Sequence, residues 1–419
     1  MSANPAGNSP EIEAKTTQAA AQPSETSADS AARLNRREFA QTLGLVTGAA
    51  AISGAFVLPE LAPPSAGTAR AARAPQHAAR EEDGAIQIDA NENPYGPSPR
   101  ARDAITNSEP IASRYPDASE TKMAEAVAKH HSVNVNQVVL GCGSTEILRC
   151  ADLAFLGPDK NVVVDDPTFE SVLNFAKVMH SNPMKVTQTP DFRHDLDAMA
   201  RAVNANTGLV YICNPNNPTG TIVTLDELQK FMSHVPLTTT VLVDEAYFHF
   251  VEDGNYGSVI DWIPKYPNLI VARTFSKIYG MAGMRLGYAV STPQNISALR
   301  ANVLWSNANI AVLRAAMASL DDPQHVIDQR HRNIETRRWL YTELDRDKRR
   351  YIPSHANFMM IDVGRDVGPV AAAFRDRKIL VGRKFPSMPN WLRVSMGTPG
   401  EMQQFMAALR EIVPSQKAS

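Results

Sequence analysis

The chain has 419 residues, of which 43% are hydrophobic and 21% charged, enough length and apolar content for two domains around a large core. A formal net charge of -2, with no Lys/Arg-dense stripe interleaved with aromatics, excludes nucleic acid as an expected partner. Three scattered cysteines, Cys142, Cys150 and Cys213, exclude a disulfide framework, and no Cys-x-x-Cys or His-Glu-x-x-His spacing points to a metal.

Residues 1–32 are rich in Ala, Ser, Thr, Pro and Asn with almost no large apolar side chains, a composition expected to stay disordered. Next come the pair Arg36-Arg37, an uncharged run from Gln41 to Leu58, and small-residue sites near Ala72 to Ala74. That order is expected of a signal for the twin-arginine export machinery, ending at about residue 74. The mature protein is then expected to be periplasmic or exported, or membrane-anchored if the signal is not cleaved.

From Ala85 onward, short apolar runs alternate with helix-like patterns, which predicts an α/β fold with a mainly parallel sheet. QVVLGCGSTEILRC reads as a strand, Val138 to Leu140, a turn with Gly141 and Gly143, and a helix opening near Ser144. A second strand, Val162 to Val164, follows, and a third, Leu209 to Cys213, runs into the polar turn NPNNPTG. Thr224 and Glu227 have the spacing of a capping box. A fourth strand, Thr240 to Val243, ends in Asp244 and Glu245, and near the C-terminus SHANFMMIDVG and NWLRVSM read as further strands.

Ligands of open α/β sheets sit beyond the carboxyl ends of the strands, where these polar residues recur. Gly143, Ser144 and Thr145 offer amides and hydroxyls at a helix start, a ready phosphate cradle. Asp244 closes an apolar strand, so burying it requires a cation or a strong donor, and Tyr247 lies close enough to serve the same ligand. Lys277, in RTFSKIYGMAGMRLGY, has Thr274, Ser276 and Arg285 beside it. Together these residues match the needs of pyridoxal 5'-phosphate. Its aldehyde needs an amine of depressed pKa (Lys277), its phosphate needs hydroxyls and an arginine fork (Thr274, Ser276, Arg285), and its pyridine nitrogen needs a carboxylate (Asp244).

The ordered blocks NENPYGPSP, RYPD, GCGSTE, NPNNPTG, VDEAY, TFSKIYGMAGMRLGY and LRVSMGT, spanning about residues 86 to 412, resemble the class I/II aminotransferases of fold type I. Within these the chain is most similar to the histidinol-phosphate aminotransferase group. The resemblance implies that Lys277 is the Schiff-base lysine and proton shuttle, that Asp244 meets the pyridine nitrogen, and that Asn217 and Tyr247 meet the ring's 3'-oxygen. It further implies that Phe169 stacks on the ring and that Tyr115 reaches the phosphate of a partner subunit in a homodimer. Arg393 would fork the substrate carboxylate, with Tyr95, Arg383 and Asn357 as further substrate neighbours. In this chain Gly382 stands before Arg383, in ILVGRKFPSMPNW, where biosynthetic members have G-I-x-V-R.

The implied domain plan is an N-terminal arm over 81–115, packing on the small domain and the partner, a large cofactor domain over 116–295, and a smaller α/β domain over 296–419. The implied reaction exchanges the amino group of an α-amino acid, or of an amine like histidinol phosphate, with a 2-oxo acid. A related decarboxylase and a non-catalytic cofactor-binding sensor are the alternatives.

Overall fold

The computed structural model describes residues 84–414, so the export segment expected over 1–80 lies outside the described residues. A short strand, β1 (Ile86–Ile88), comes first. The large sheet is made of β2 (Val138–Gly141), β3 (Asn161–Asp166), β4 (Asn182–Thr187), β5 (Thr207–Cys213), β6 (Thr240–Asp244), β7 (Leu269–Thr274) and β8 (Gly287–Val290). Their spatial order is β2-β8-β7-β6-β5-β3-β4, and all pairs are parallel except those made by β8. The later strands are β9 (Tyr351–Ile352), β10 (Phe358–Asp362), β11 (Ile379–Val381) and β12 (Trp391–Ser395). They form an antiparallel sheet, β12-β10-β9, and a parallel pair of β11 with β1, which joins the start of the arm to the C-terminal part of the chain.

The helices are α1 (Pro99–Thr106), α2 (Asp117–His130), α3 (Ser144–Phe155), α4 (Ser171–Val178), α5 (Leu196–Ala202) and α6 (Leu225–His234). They continue with α7 (Pro293–Arg300), α8 (Ile310–Leu320), α9 (Pro323–Arg346), α10 (Val367–Arg375) and α11 (Pro399–Ile412). Thr224 caps α6, and the Thr224 and Glu227 side chains reciprocate across its first turn as the spacing predicts.

β5, β6 and β7 are buried at every position, as a parallel sheet covered on both faces requires. Their side chains alternate between two cores. Val210, Ile212, Val241, Val243 and Val271 pack with α1, α2, α5, α6 and α8. Leu209, Tyr211, Cys213, Leu242 and Ile270 pack with α3, α4 and α7. A third core joins Ile88 of the arm to β10, β12, α9, α10 and α11. Fully burying one such aliphatic side chain contributes about 1.5–3 kcal/mol, so the strand ends that carry polar groups are anchored on both faces.

Candidate active site

The carboxyl ends of β3, β5, β6 and β7 converge. Asp244, the last residue of β6, is 2% exposed. Its Oδ2 accepts a hydrogen bond from Tyr211 Oη at 3.0 Å, and its Oδ1 accepts one from the Ala246 amide at 3.1 Å. Burial pushes the Asp244 carboxyl up to about 6, opposed by those two donors and by the Lys277 charge. The cation expected against Asp244 is therefore not an ion-pair partner among the described residues; neutral donors hold the carboxylate and leave its charge largely uncompensated.

Lys277 lies in the loop after β7. Its Nζ donates to the Ala90 carbonyl at 3.2 Å and sits 5.6 Å from the centre of the Tyr247 ring. Burial, reinforced by Arg393 and Arg285, lowers the amine to about 8, against the pull of Glu92 and Asp244. An amine in this range is partly unprotonated near neutral pH, which a carbonyl-trapping lysine needs.

Tyr247 Oη accepts from Asn91 Nδ2 at 3.1 Å and from Asn217 Nδ2 at 3.5 Å. The opposite end of the Asn217 amide accepts from Arg393 Nη1 at 2.7 Å, and Arg393 Nη2 donates to the Asp89 carbonyl at 2.6 Å. Arg393 is 9% exposed, has no carboxylate partner among the described residues, and its Nε has no hydrogen-bond partner. Burial lowers its pKa to about 10. A buried guanidinium in this condition is costly unless an anion completes it.

A second anion site lies at the start of α3. Gly143 occupies its N-cap with φ +75°, and no side chain caps the helix there. The Arg285 guanidinium rests on Gly143, where a Cβ would overlap it, and a Cβ on Gly287 would cover the Ser144 amide. Arg285 Nη1 also donates to Ser276 Oγ at 3.3 Å. Ser144 and Thr145 lie half-buried in the first turn.

The structure thus brings together Lys277, Asp244, Tyr247, Asn217 and Arg393, and gathers Gly143, Ser144, Thr145, Ser276 and Arg285 at one helix start. Phe169 lies half-buried on the exit of β3. Four of the expected residues also make contacts within the protein. The Thr274 hydroxyl donates within its own turn, to Ser276 Oγ at 2.9 Å and to the Leu286 carbonyl at 3.3 Å, so it shapes the cradle from behind. Asn357 Nδ2 donates to the carbonyls of Asn91 and Glu92, which makes it an anchor of the arm. The Tyr95 ring faces Arg332 on α9, 4.6 Å away. Arg383 pairs with Glu170 at 2.6 Å. Tyr115 is 65% exposed on the approach to α2.

Three functional features escaped the sequence reading. Asn91, at φ +54° and 1% exposed, orients Tyr247 from the arm. Tyr211 holds Asp244 from the next strand; a tyrosine inside a strand that runs to the site was the available signal, because a buried hydroxyl needs a partner. Glu245 and Arg273, both buried, pair at 2.7 Å, while Glu245 also accepts from Ser258 Oγ and the Val259 amide. That pair ties the exit of β6, which carries Asp244, to the exit of β7, which carries Lys277.

The residues fit pyridoxal 5'-phosphate on this structure's own terms: an uncapped helix start with an arginine on its glycine, an amine of lowered pKa, and a buried carboxylate held by neutral donors. The sequence comparisons agree. The family model "aminotransferase class I and II" matches residues 83–409. A histidinol-phosphate aminotransferase of Caldicellulosiruptor saccharolyticus is 36% identical over 330 residues, covering 78% of this chain and 92% of that protein. An aromatic amino acid aminotransferase of Cutibacterium acnes is 34% identical over 329 residues, covering 78% and 93%. The crystal structure of histidinol-phosphate aminotransferase from Sinorhizobium meliloti in complex with pyridoxal-5'-phosphate has a TM-score of 0.73 at 27% identity, covering 79% of this chain and 91% of that one. The chain belongs to the class I and II aminotransferases, pyridoxal-phosphate-dependent enzymes of fold type I.

Proposed function

We propose that Lys277 is the residue that carries the cofactor and moves the proton at the substrate's α-carbon in a transamination between an amino acid or amino alcohol phosphate and a 2-oxo acid. The observation that carries this reading is the Lys277 amine held near a pKa of 8 between two arginines, Arg285 on the helix-start cradle and Arg393. When bound, pyridoxal phosphate supplies an electrophilic carbonyl and an electron sink. The chain's residues do the rest. Arg285, Ser276 and the first turn of α3 hold the phosphate. Asp244 keeps a proton on the ring nitrogen, and Tyr211 keeps Asp244 ionised for that task. Asn91 and Asn217 both donate to Tyr247 Oη, which leaves the tyrosine's own proton free to be aimed at the ring's oxygen. Phe169 covers the ring. Arg393 forks the substrate's anionic group, and Lys277 accepts and returns the proton.

The relatives' names span histidinol phosphate and aromatic amino acids, so both are candidate donors. A homodimer fits an exposed patch beside the cradle. Tyr115, Leu304 and Trp305 are 65%, 64% and 87% exposed. Ser306 donates to Asp117 at 3.3 Å, while Glu146 of α3 accepts from the Leu304 amide and from Asn307, so the patch is tied to the helix start that holds the phosphate. In this reading Tyr115 completes the partner's phosphate site. The division into a large domain to about 295 and a smaller one beyond it belongs to the same reading, with α7 and α8 as connecting helices that still pack on the large sheet. Export by the twin-arginine route rests on Arg36-Arg37 and the uncharged run after it; fractionation of cells with the Arg36→Lys, Arg37→Lys variant tests it, and an unchanged distribution would refute it.

Mixing the cofactor-loaded protein with individual amino acids and with histidinol phosphate tests the reaction. Loss of the cofactor's visible band with release of a carbonyl product, absent in Lys277→Ala, supports the reading. Carbon dioxide without a carbonyl product overturns it.

A further inference from the structure

Arg383 and Arg393 share a wall but differ in what compensates their charge. Their guanidinium carbons lie 4.3 Å and 5.4 Å from the centre of one ring, that of Phe385. The Gly382 amide donates to the Arg393 carbonyl at 2.9 Å, and a Cβ at Gly382 would press on Arg393, so the two arginines are held close by a glycine that brings the backbones together. Arg393 is buried with no carboxylate partner among the described residues. Arg383 Nη2 instead meets Glu170 Oε2 at 2.6 Å. Glu170 directly follows Phe169, and as the N-cap of α4 it makes no side-chain capping bond, so its carboxylate is not committed to its own helix.

Both partners of this bridge are about 40% exposed, and exposed ion pairs contribute only about 0–1 kcal/mol to stability, so the fold does not depend on it. Its effect lies in the charge it leaves around Arg393. The charges of Arg383 and Glu170 both reach Arg393 and act on it in opposite directions. Asp89 acts on Arg393 in the same direction as Glu170, so with Arg383 bridged to Glu170 the anion pocket carries at most about one net positive charge. A carboxylate brings one negative charge, whereas a phosphate monoester brings about -1.5 to -2 at neutral pH.

We propose that Glu170 is a specificity-determining residue that sets the anion pocket of Arg393 to a monoanionic carboxylate and disfavours a phosphate monoester. This deepens the transaminase reading above and rests on it, because it takes Arg393 as the substrate's anion site. To bind strongly at both arginines, a phosphate would have to break the Glu170–Arg383 bridge and stand against the freed carboxylate. Substrates of this chain are accordingly amino acids with a free α-carboxylate.

The test compares L-histidine with histidinol phosphate, which differ in carrying a carboxylate or a phosphate ester on the same framework. Each is titrated into the cofactor-loaded protein and its dissociation constant read from the visible band, without requiring turnover. The wild type is expected to bind histidine at least as tightly as histidinol phosphate. In Glu170→Gln the ratio should move about tenfold or more toward the phosphate, the scale of one charge-assisted hydrogen bond. The double variant Glu170→Gln, Arg383→Gln should return it toward the wild-type value. A ratio within twofold in Glu170→Gln, or a wild type that prefers the phosphate ester by tenfold, overturns the charge match. A chain that takes up no pyridoxal phosphate overturns the reading of the reaction instead, so the two failures are distinguishable.

Discussion

Replacing Lys277 with Met should stabilise the cofactor-free protein. The amine's value falls from 10.5 to about 8 on folding, chiefly through burial. A lysine whose folded pKa lies below its unfolded value binds fewer protons folded than unfolded, so its charge opposes folding at every pH below about 8. At about 1.4 kcal/mol per pKa unit the penalty at pH 7 is about 3 kcal/mol. Stability is regained as pH rises from about 8 to about 10.5, where the unfolded chain also loses the proton, and by pH 10 the penalty has shrunk to about 1 kcal/mol. Met is close in length and carries no charge, but it removes the donor to the Ala90 carbonyl, a loss of about 1 kcal/mol. The expected net gain is about 2 kcal/mol at pH 7 and about zero at pH 10. Urea unfolding of cofactor-free wild type and Lys277→Met, at both pH values and at one protein concentration so that any association term is held fixed, measures it. A variant less stable than wild type at pH 7, or a gain that does not shrink at pH 10, would refute the claim that Lys277 is held in a strained electrostatic state.

Other residues give sharper or simpler readouts. Tyr211→Phe removes the donor to Asp244 Oδ2, so in the cofactor-free protein the carboxyl should titrate about one pH unit higher than in wild type, read by infrared difference titration; an unmoved titration refutes the link. Arg393→Lys keeps a charge but loses the fork, and kcat/KM should fall about 10–100-fold, mostly through the substrate rather than through cofactor retention, which dialysis of the loaded protein checks. Gly143→Ala places a Cβ on Arg285 at a φ of +75°, so the dissociation constant for pyridoxal phosphate should rise by about tenfold or more in equilibrium dialysis. Glu245→Gln leaves the buried Arg273 unpaired and should cost about 3–5 kcal/mol in denaturant unfolding; a change under about 1 kcal/mol would show that the pair does not hold the strand exits.

Much of the frame was legible because the strands of a doubly covered sheet have few options. The runs at Val162, Leu209 and Thr240 are continuously apolar, and the structure extends each by one to three residues, to Asn161–Asp166, Thr207–Cys213 and Thr240–Asp244. Lys277, Asp244 and the helix start at Gly143 were legible as candidates for a related reason: each is a polar group placed where an apolar strand ends. What stayed hidden depends on pairing across the chain. Nothing local in the sequence says that Asn91 reaches Tyr247, 156 positions away, or that Asn357 spends its amide on the arm. Tyr95 and Arg383 were read by motif position, and a motif fixes the backbone site while the contacts with Arg332 and Glu170 come from elsewhere in the chain.

The site concentrates uncompensated charge, and the surrounding fold makes that tolerable. Asp244 is buried against neutral donors, the Lys277 amine is lowered to about 8, and Arg393 has no carboxylate partner among the described residues, so each is less comfortable than it would be in water. Beside them the chain places charges that meet an opposite charge: Glu245 with Arg273 between the exits of β6 and β7, and Asp165 within 3.1 Å of His194, whose other ring nitrogen meets the Cys213 carbonyl at the exit of β5. Those pairs fix the strand ends, and the charges left near them, Asp244 immediately before Glu245 and Lys277 in the loop after Arg273, are what a cofactor with a cationic ring and an electrophilic carbonyl would complete. Replacing the inner pairs should therefore loosen the protein with or without cofactor. Replacing Lys277, Asp244 or Arg393 should weaken what the protein binds without destabilising the cofactor-free fold, which for Lys277 is expected to gain stability.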